Sequence, residues 1–516
     1  MNDTTTDRER HDDTLFAIAV TAVYAGLILF TTLHHEPWRD EAQAWLIARD
    51  ASLPAFLKQM SYEGSPALWH LIQRPFARAG LPYVWHSILN VLIATAAIAV
   101  FTRRAPFSRA TKILFVFSYY TAFEYAVVAR SYSLGLLLLF LIADMHPRRL
   151  DRPIRYGLLV LLLCNVNVFC LCIASALAVR FAYELLRARR TGGVGKRACA
   201  GLGLMGLGLS LAVLQLMPAP DSVKHEMFRL FAPMNVPRAI RSAFFPSPGD
   251  KKTYELVAAV ILIVVLLSIL RRPGALFIVF WSFAALLYIF VFKHSGARRH
   301  HAWLFVVLVL GLWLARHEPD VYWFGFRSHV EKLYARFDVA SLARVMIRFC
   351  LFISVAFCLK MHYEDIRYPF SASQQVARFL LEHDLEHRPI VAHNSYCTAG
   401  VLPHLPPRTF WYAGIRRPGS YVVWTEEFAG NVNLSTAEIV ERGRSAFPNS
   451  NDLLFLLTRR VESPERQGLE LLFEPDTSRW LTRDRCAVYR LARPKTTCAT
   501  ARGTADADGG ITTPTP

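Results

Sequence analysis

Long apolar runs separated by short basic loops dominate the chain from residue 14 to residue 362. Eleven segments read as spans: 14–33, 84–102, 111–128, 131–145, 155–171, 172–187, 198–217, 254–270, 275–293, 301–316 and 347–362. Each approaches the roughly 20 residues a helix needs to cross a hydrocarbon core about 30 Å thick. The run SPALWHLIQRPFARAG (65–80) is shorter and amphipathic, and predicts an interfacial or re-entrant helix. From 363 to 494 the pattern becomes that of a soluble domain. QQVARFLLEHD reads as a helix, PIVAH and SYVVW as strands, and STAEIVERGRSAF opens with a capping box from Ser435 to Glu438. DLLFLL, LELLF and CAVYRL complete an alternation that predicts a small α/β domain. The Thr-, Ala-, Gly- and Pro-rich tail, 495–516, predicts disorder. Its DADGG (506–510) has the form of a metal-binding DxD without supporting ligands.

Composition agrees with the pattern. The chain is 53% hydrophobic with a mean hydropathy of +0.27, so the expected class is a polytopic α-helical membrane protein with a small C-terminal α/β domain. A net charge of +18 would suggest nucleic acid in a soluble protein. Here the cations collect in TRRAPFSRATK, HPRRLDRPIR, RARRTGGVGKR, RRPG and the 316–348 loop, as on a cytoplasmic face. No nucleic-acid partner is expected, and the membrane lipid itself is one partner. Residues 1–13 are then cytoplasmic, and the first run lacks a cleavage site, so it reads as a retained span. The loops 34–83 and 218–253 and the 363–494 domain fall outside, in an arrangement suited to a bacterial inner membrane. KHSGARRHH (293–301) breaks this charge rule on the outer side, which calls either for a different topology or for a task for its cations. Six cysteines lie in or beside apolar runs as small core residues. In the outer domain, Cys397 and Cys486 are candidates for one disulfide.

Three clusters carry chemistry. In HHEPWRDEAQAW, after the first span, Asp40 is placed either to cap a helix or to act as a base on a hydroxyl, with Glu41 in the first turn. In FEYAVVARSYSLG, Glu124, Arg130 and Tyr132 stand at a span end, where Arg130 either snorkels or serves a substrate. In HSGARRHH, Arg298, Arg299 and His300 precede a late span. A metal at His34, His35 and Asp40 has no diagnostic spacing. One acidic and two basic clusters on one face suit transfer from a phosphate-linked donor. An anionic phosphate leaving group needs cations, and a hydroxyl acceptor needs a base, unlike the two carboxylates of glycoside hydrolysis.

An apolar first span followed by RDEAQAWLIA, EGSPALWHLI and EYAVVARSYSLGLLLL resembles the membrane glycosyltransferases of the GT-C fold. The nearest branch is that of the protein O-mannosyltransferases and aminoarabinose transferases, and the likeness covers residues 14–315. The resemblance implies a polyprenyl-phosphate sugar donor and a hydroxyl acceptor on a glycan, lipid or protein. It places the family's acidic pair on Asp40 and Glu41, with Asp40 as the base. It matches the family's RSY to Arg130, Ser131 and Tyr132, and its phosphate-binding basic position to Arg298 and Arg299. The family's His-Pro-Pro is replaced by Gly64, Ser65 and Pro66. Glu63 and Glu41 are expected to position acceptor or base. The resemblance leaves the need for a divalent metal open, because related branches differ in its use, and it fixes no other cofactor. A transporter or flippase of a lipid-linked or anionic substrate would use the same arginines without a base. A receptor sensing through the 363–494 domain is a third alternative.

Overall fold

The computed structural model describes residues 2–191, 195–224, 231–247, 252–321, 331, 334, 336–394, 398–450, 452–476 and 486–492. Its described helices are α1 (Asn2–His34), α2 (Arg39–Asp50), α3 (Leu53–Met60), α4 (Leu68–Arg78), α5 (Val84–Arg104), α6 (Arg109–Val116), α7 (Tyr132–Met145), α8 (Pro153–Cys164) and α9 (Val168–Thr191). There follow α10 (Lys196–Leu216), α11 (Asn235–Phe244), α12 (Lys252–Ser268), α13 (Pro273–Phe292), α14 (Arg298–Ala315), α15 (Val339–Arg367), α16 (Ser373–Glu382), α17 (Glu426–Gly430) and α18 (Thr436–Ala446). Among the described residues, six helices are long and apolar enough to cross a membrane: His11–His34, Val84–Arg104, Val168–Arg190, Lys196–Leu216, Pro273–Phe292 and Val339–Arg367. Shorter helices α7, α12 and α14 occupy the expected segments 131–145, 254–270 and 301–316.

The expected span 111–128 is not one helix. It breaks after Val116, turns through a π-helix at Tyr120–Glu124 and runs irregularly to Ser131. Its released carbonyls are taken up by neighbours: Asn90 Nδ2 donates to Tyr125 O and Ala126 O, Tyr24 Oη to Thr121 O, and His86 Nε2 approaches Ala129 O. Irregular backbone between apolar helices survives where protein groups satisfy it in this way. The break delivers Arg130 to the site.

The expected span 155–171 ends early, at Cys164, and the missing turn to the next span is the Asn165–Asn167 step. Asn167 Oδ1 caps α9 by accepting from Cys170 N–H. Asn165 O and Gln215 Oε1 accept the N–H groups of Leu68 and Ala67, which docks the start of α4, the helix expected from 65–80. Helices α8 and α10 meet through glycines: a Cβ on Gly201 would stand 2.5 Å from Pro153 O, and one on Gly157 2.4 Å from Gly201 O. Such small-residue contacts let backbones approach closely. Gly201→Val is expected to cost about 1–3 kcal/mol by overpacking, read as a lower Tm of the detergent-solubilised protein.

The C-terminal part holds a six-stranded mixed sheet: β1 (Ile390–Ala392), β2 (Phe410–Tyr412), β3 (Arg417–Gly419), β4 (Leu454–Leu457), β5 (Leu469–Phe473) and β6 (Ala487–Leu491), in the order β3-β2-β1-β4-β6-β5. β1 pairs parallel with β2 and β4, and the other pairs are antiparallel. The capping box at Ser435 and Glu438 is present at the start of α18. SYVVW is not a strand, because its backbone pairs elsewhere. Val422 N–H donates to Gln43 Oε1, Val422 O accepts from Gln43 and Gln59, and Val223 N–H donates to Trp424 O. This segment straps the C-terminal domain to α2 and α3. The domain's core includes Ala42, Trp45, Leu46 and Ala48 of α2 together with Ile390, Phe410, Tyr412, Leu454 and Val488 of the sheet. Cys397 and the DADGG segment lie outside the described residues.

Candidate active site

The sequence WRDE sets the geometry of α2. Trp38 is the N-cap, and Glu41, three residues on, accepts the Trp38 N–H through Oε2 at 3.1 Å. Asp40 is therefore not the cap expected of it. It sits in the second helical position, with its carboxylate free to reach outward.

Two cations from distant parts of the chain meet that carboxylate. Arg130 donates to Asp40 Oδ2 at 2.5 Å, and Arg299 donates to the same oxygen at 3.2 Å. Arg39 stands 3.8 Å from Oδ1. The three principal side chains are 23%, 26% and 21% exposed for Asp40, Arg130 and Arg299, so a ligand can reach them. The Trp38 ring packs against the guanidinium groups of Arg39 and Arg299 at 5.3 and 5.2 Å, which holds both cations in place. Burial works to raise the Asp40 pKa, but Arg130, Arg299 and Arg39 outweigh it and hold the carboxyl below its ordinary range. Asp40 is ionised at neutral pH. Three guanidinium groups thus converge on one carboxylate, and an anion that displaced part of Asp40's share of them would meet cations already in place.

The guanidinium groups beside Asp40 weaken its fit as a ligand for a divalent cation. His34 and His35 point elsewhere: His34 Nδ1 contacts Phe30 O, and His35 contacts two other carboxylates. Among the described residues no group of three or more His, Cys, Asp or Glu side chains stands in metal-binding proximity.

No protein-family model and no curated protein matches the chain. Among solved structures, it is similar to the aminoarabinose transferase ArnT from Cupriavidus metallidurans, crystallised with undecaprenyl phosphate. The match has a TM-score of 0.52, covers 93% of this chain and 100% of that one, and has 11% sequence identity. The chain has the GT-C fold.

On this GT-C frame the other sequence candidates divide. Tyr132 lies beside the cluster, its ring 5.5 Å from the Arg130 guanidinium carbon. Glu63, just past α3, is held at 2.8 Å by Nε2 of Gln43, which lies one turn along α2 from Asp40, and at 2.9 Å by Gln59 Nε2 of α3, while Lys224 Nζ donates to its backbone carbonyl. Burial pushes the Glu63 carboxyl up, against the pull of those amides, Lys224 and Arg130. The same surroundings push Lys224 down to about 8, by burial and against the attraction of Glu63.

Four candidates do not face Asp40. Arg298 donates to Pro246 O at 2.9 Å and packs over Tyr119 and Phe357, so Arg299 alone of the pair meets the carboxylate. Glu124 accepts from the Tyr119 hydroxyl. His300 accepts the Ala297 N–H through Nδ1, closing the first turn of α14 back onto its N-cap Ala297, and it stacks on Phe169. Glu41 is fully buried and clamps three donors: Ala129 N–H at 2.7 Å, Trp38 N–H, and His35 Nε2 at 3.2 Å. Glu41→Gln places an amide against these donors. It is expected to cost about 3 kcal/mol, as breaking a buried ion pair does, read as a lower Tm in detergent.

Sequence reading offered His35 only as a metal ligand, and it missed Asp365, His86, Gln43 and Gln59. A histidine beside the acidic pair was visible, but its partner Asp365 lies 330 residues away. Gln43 and Gln59 are unremarkable residues of amphipathic helices until Val422 packs on them.

Proposed function

We propose that the protein is an inverting glycosyltransferase of the bacterial inner membrane, moving a sugar from a polyprenyl-phosphate carrier to a hydroxyl acceptor at the outer face. The observation that carries it is the ionised Asp40 held between Arg130 and Arg299 on a GT-C scaffold. Asp40 takes the proton of the acceptor hydroxyl, and the oxygen attacks the anomeric carbon opposite the phosphate. The bond to the carrier phosphate breaks with its electron pair, and Arg130 and Arg299 receive the resulting anion. Before donor arrives these arginines are neutralised in part by Asp40. When the phosphate takes a share of them, the carboxylate becomes a stronger base at the moment it is needed. Tyr132 orients Arg130, and Glu63 with Gln43 and Gln59 borders the acceptor side.

In this arrangement the N-terminus and the basic loops face the cytoplasm, and the 363–494 domain faces outward over α2. The bound undecaprenyl phosphate of the structurally similar ArnT supports the class of carrier. The test is transfer of radiolabelled sugar from defined undecaprenyl-phosphate sugars to membrane-extract acceptors by the purified protein, with product stereochemistry read by NMR. Inverted product supports the proposal. Absence of transfer from every polyprenyl-phosphate sugar, with intact folding, overturns it.

A further inference from the structure

His35 lies between two carboxylates with no exposed surface. Its Nδ1 meets both oxygens of Asp365 at 3.0 Å, and its Nε2 meets Glu41 Oε2 at 3.2 Å; all three side chains are 0% exposed. A carboxylate accepts but does not donate, so both ring nitrogens carry hydrogen and His35 is an imidazolium. Burial alone works to lower its pKa, but Asp365 and then Glu41 outweigh that and push it up to about 10.

The groups packed around His35 sharpen this. From α15 come Asp365 and His362, the latter turned away to the Thr31 hydroxyl at 2.7 Å. From α2 comes Glu41, and from the connecting loop Glu36, which is itself drawn to Gln375 and Arg378 of α16. From α5 comes His86, occupied by Gln73 and Ala129 O. Phe370 covers the ring at 4.6 Å. Asp365 and Glu41 are the two carboxylates that touch it directly.

Glu41 is the link to the site. Its Oε1 holds the N–H of Ala129, the residue before Arg130, and its Oε2 holds the N–H of Trp38, two residues before Asp40. One buried carboxylate thus fixes the backbone on both sides of the Asp40–Arg130 pair. It can do so only while it stays ionised and aimed.

We propose that His35, kept cationic by Asp365, is a positioning residue that sets the Asp40–Arg130 pair through Glu41. This rests on the transferase reaction proposed above. Loss of the His35 proton would leave two buried carboxylates facing a neutral ring, and Glu41 would lose the cationic partner that aims it at Ala129. Activity is therefore present while His35 is protonated and lost as pH rises through its pKa. Asp365 sets how high that pKa lies.

The test uses the full chain in lipid nanodiscs. Asp365→Asn keeps an amide oxygen that can accept from the Nδ1–H, but it removes the charge that holds the proton. Relative to its own plateau near about pH 6, the variant is expected to lose about tenfold in kcat by about pH 8.5, where the wild type holds its rate. A uniform loss with the wild-type pH profile is what a merely structural contact gives, and it overturns the proposal.

Two further measurements decide the matter if the variant does not fold or the donor sugar is wrong. Nitrogen-15 spectra of histidine-labelled wild-type protein are expected to show a doubly protonated ring at about pH 8.5, where an ordinary histidine is neutral. A spectrum with neutral rings only overturns the proposal. Undecaprenyl phosphate affinity, measured without any sugar acceptor, should weaken at alkaline pH in Asp365→Asn and not in wild type. This reports on His35 even where no transfer is seen, so failure of the reaction and failure of the positioning role remain distinct. An affinity with the same pH dependence in both proteins overturns it.

Discussion

Asp40→Asn is expected to lower kcat for sugar transfer by about a thousandfold while binding of undecaprenyl phosphate becomes tighter. The two effects have one cause. The carboxylate proposed as the base is also the counter-ion of Arg130 and Arg299, at 2.5 and 3.2 Å. Replacing it with an amide removes the proton acceptor and at the same time releases both guanidinium groups to an incoming phosphate. The shape of the side chain is kept, so Trp38 and Glu41 continue to cap α2. A protein that merely carried the lipid phosphate would show the tighter binding without the loss of turnover. Single-turnover transfer and equilibrium binding on the same preparation separate the two. Asp40→Asn turnover within tenfold of wild type would sink the base assignment.

Arg130→Ala is expected to lower kcat/KM by a few hundredfold, more than Arg299→Ala, since Arg130 makes the shorter contact with Asp40. It carries a pH signature as well. Asp40 titrates below the ordinary carboxylate range because Arg130, Arg299 and Arg39 outweigh its burial. The wild-type rate is therefore held down to acidic pH and lost only as pH falls through that depressed pKa. Without Arg130 the burial is less opposed, the folded-state pKa rises, and the acidic limb of the pH–rate profile moves to higher pH. Arg130→Lys restores the charge but not the planar fork, and is expected to recover the limb better than the rate. An Arg130→Ala profile with an unmoved acidic limb would place Arg130 outside the charge field of Asp40.

Much of this site could be read from residues close in sequence. WRDEAQAW announced a helix start with acidic groups, and ARSY placed an arginine where an apolar run ends. The choice between Arg298 and Arg299 could not be read, because neighbouring residues on a helix point about 100° apart and nothing local sets the rotation of α14. The broken segment at 117–131 has the apolar composition of a span. Its interruption depends on side chains of α1 and α5 that accept the loss of helical hydrogen bonding. The two strands at 410–412 and 417–419 are three residues each, too short for alternation to register, whereas SYVVW has the composition of a strand and spends its backbone on Gln43 and Gln59. The His35–Asp365 contact joins the ends of α1 and α15, and only the folded chain brings those ends together.

The apolar face of α2 has a consequence for how such a protein can diversify. Trp45, Leu46 and Ala48 belong to the same core as the sheet of the C-terminal domain, on the helix that presents Asp40. The domain is therefore no interchangeable appendage. A lineage that grafted a foreign C-terminal domain onto these membrane helices would strip the cover from the helix that carries Asp40. New acceptor preferences are then more easily gained by altering loops at the rim of the sheet than by trading the domain whole.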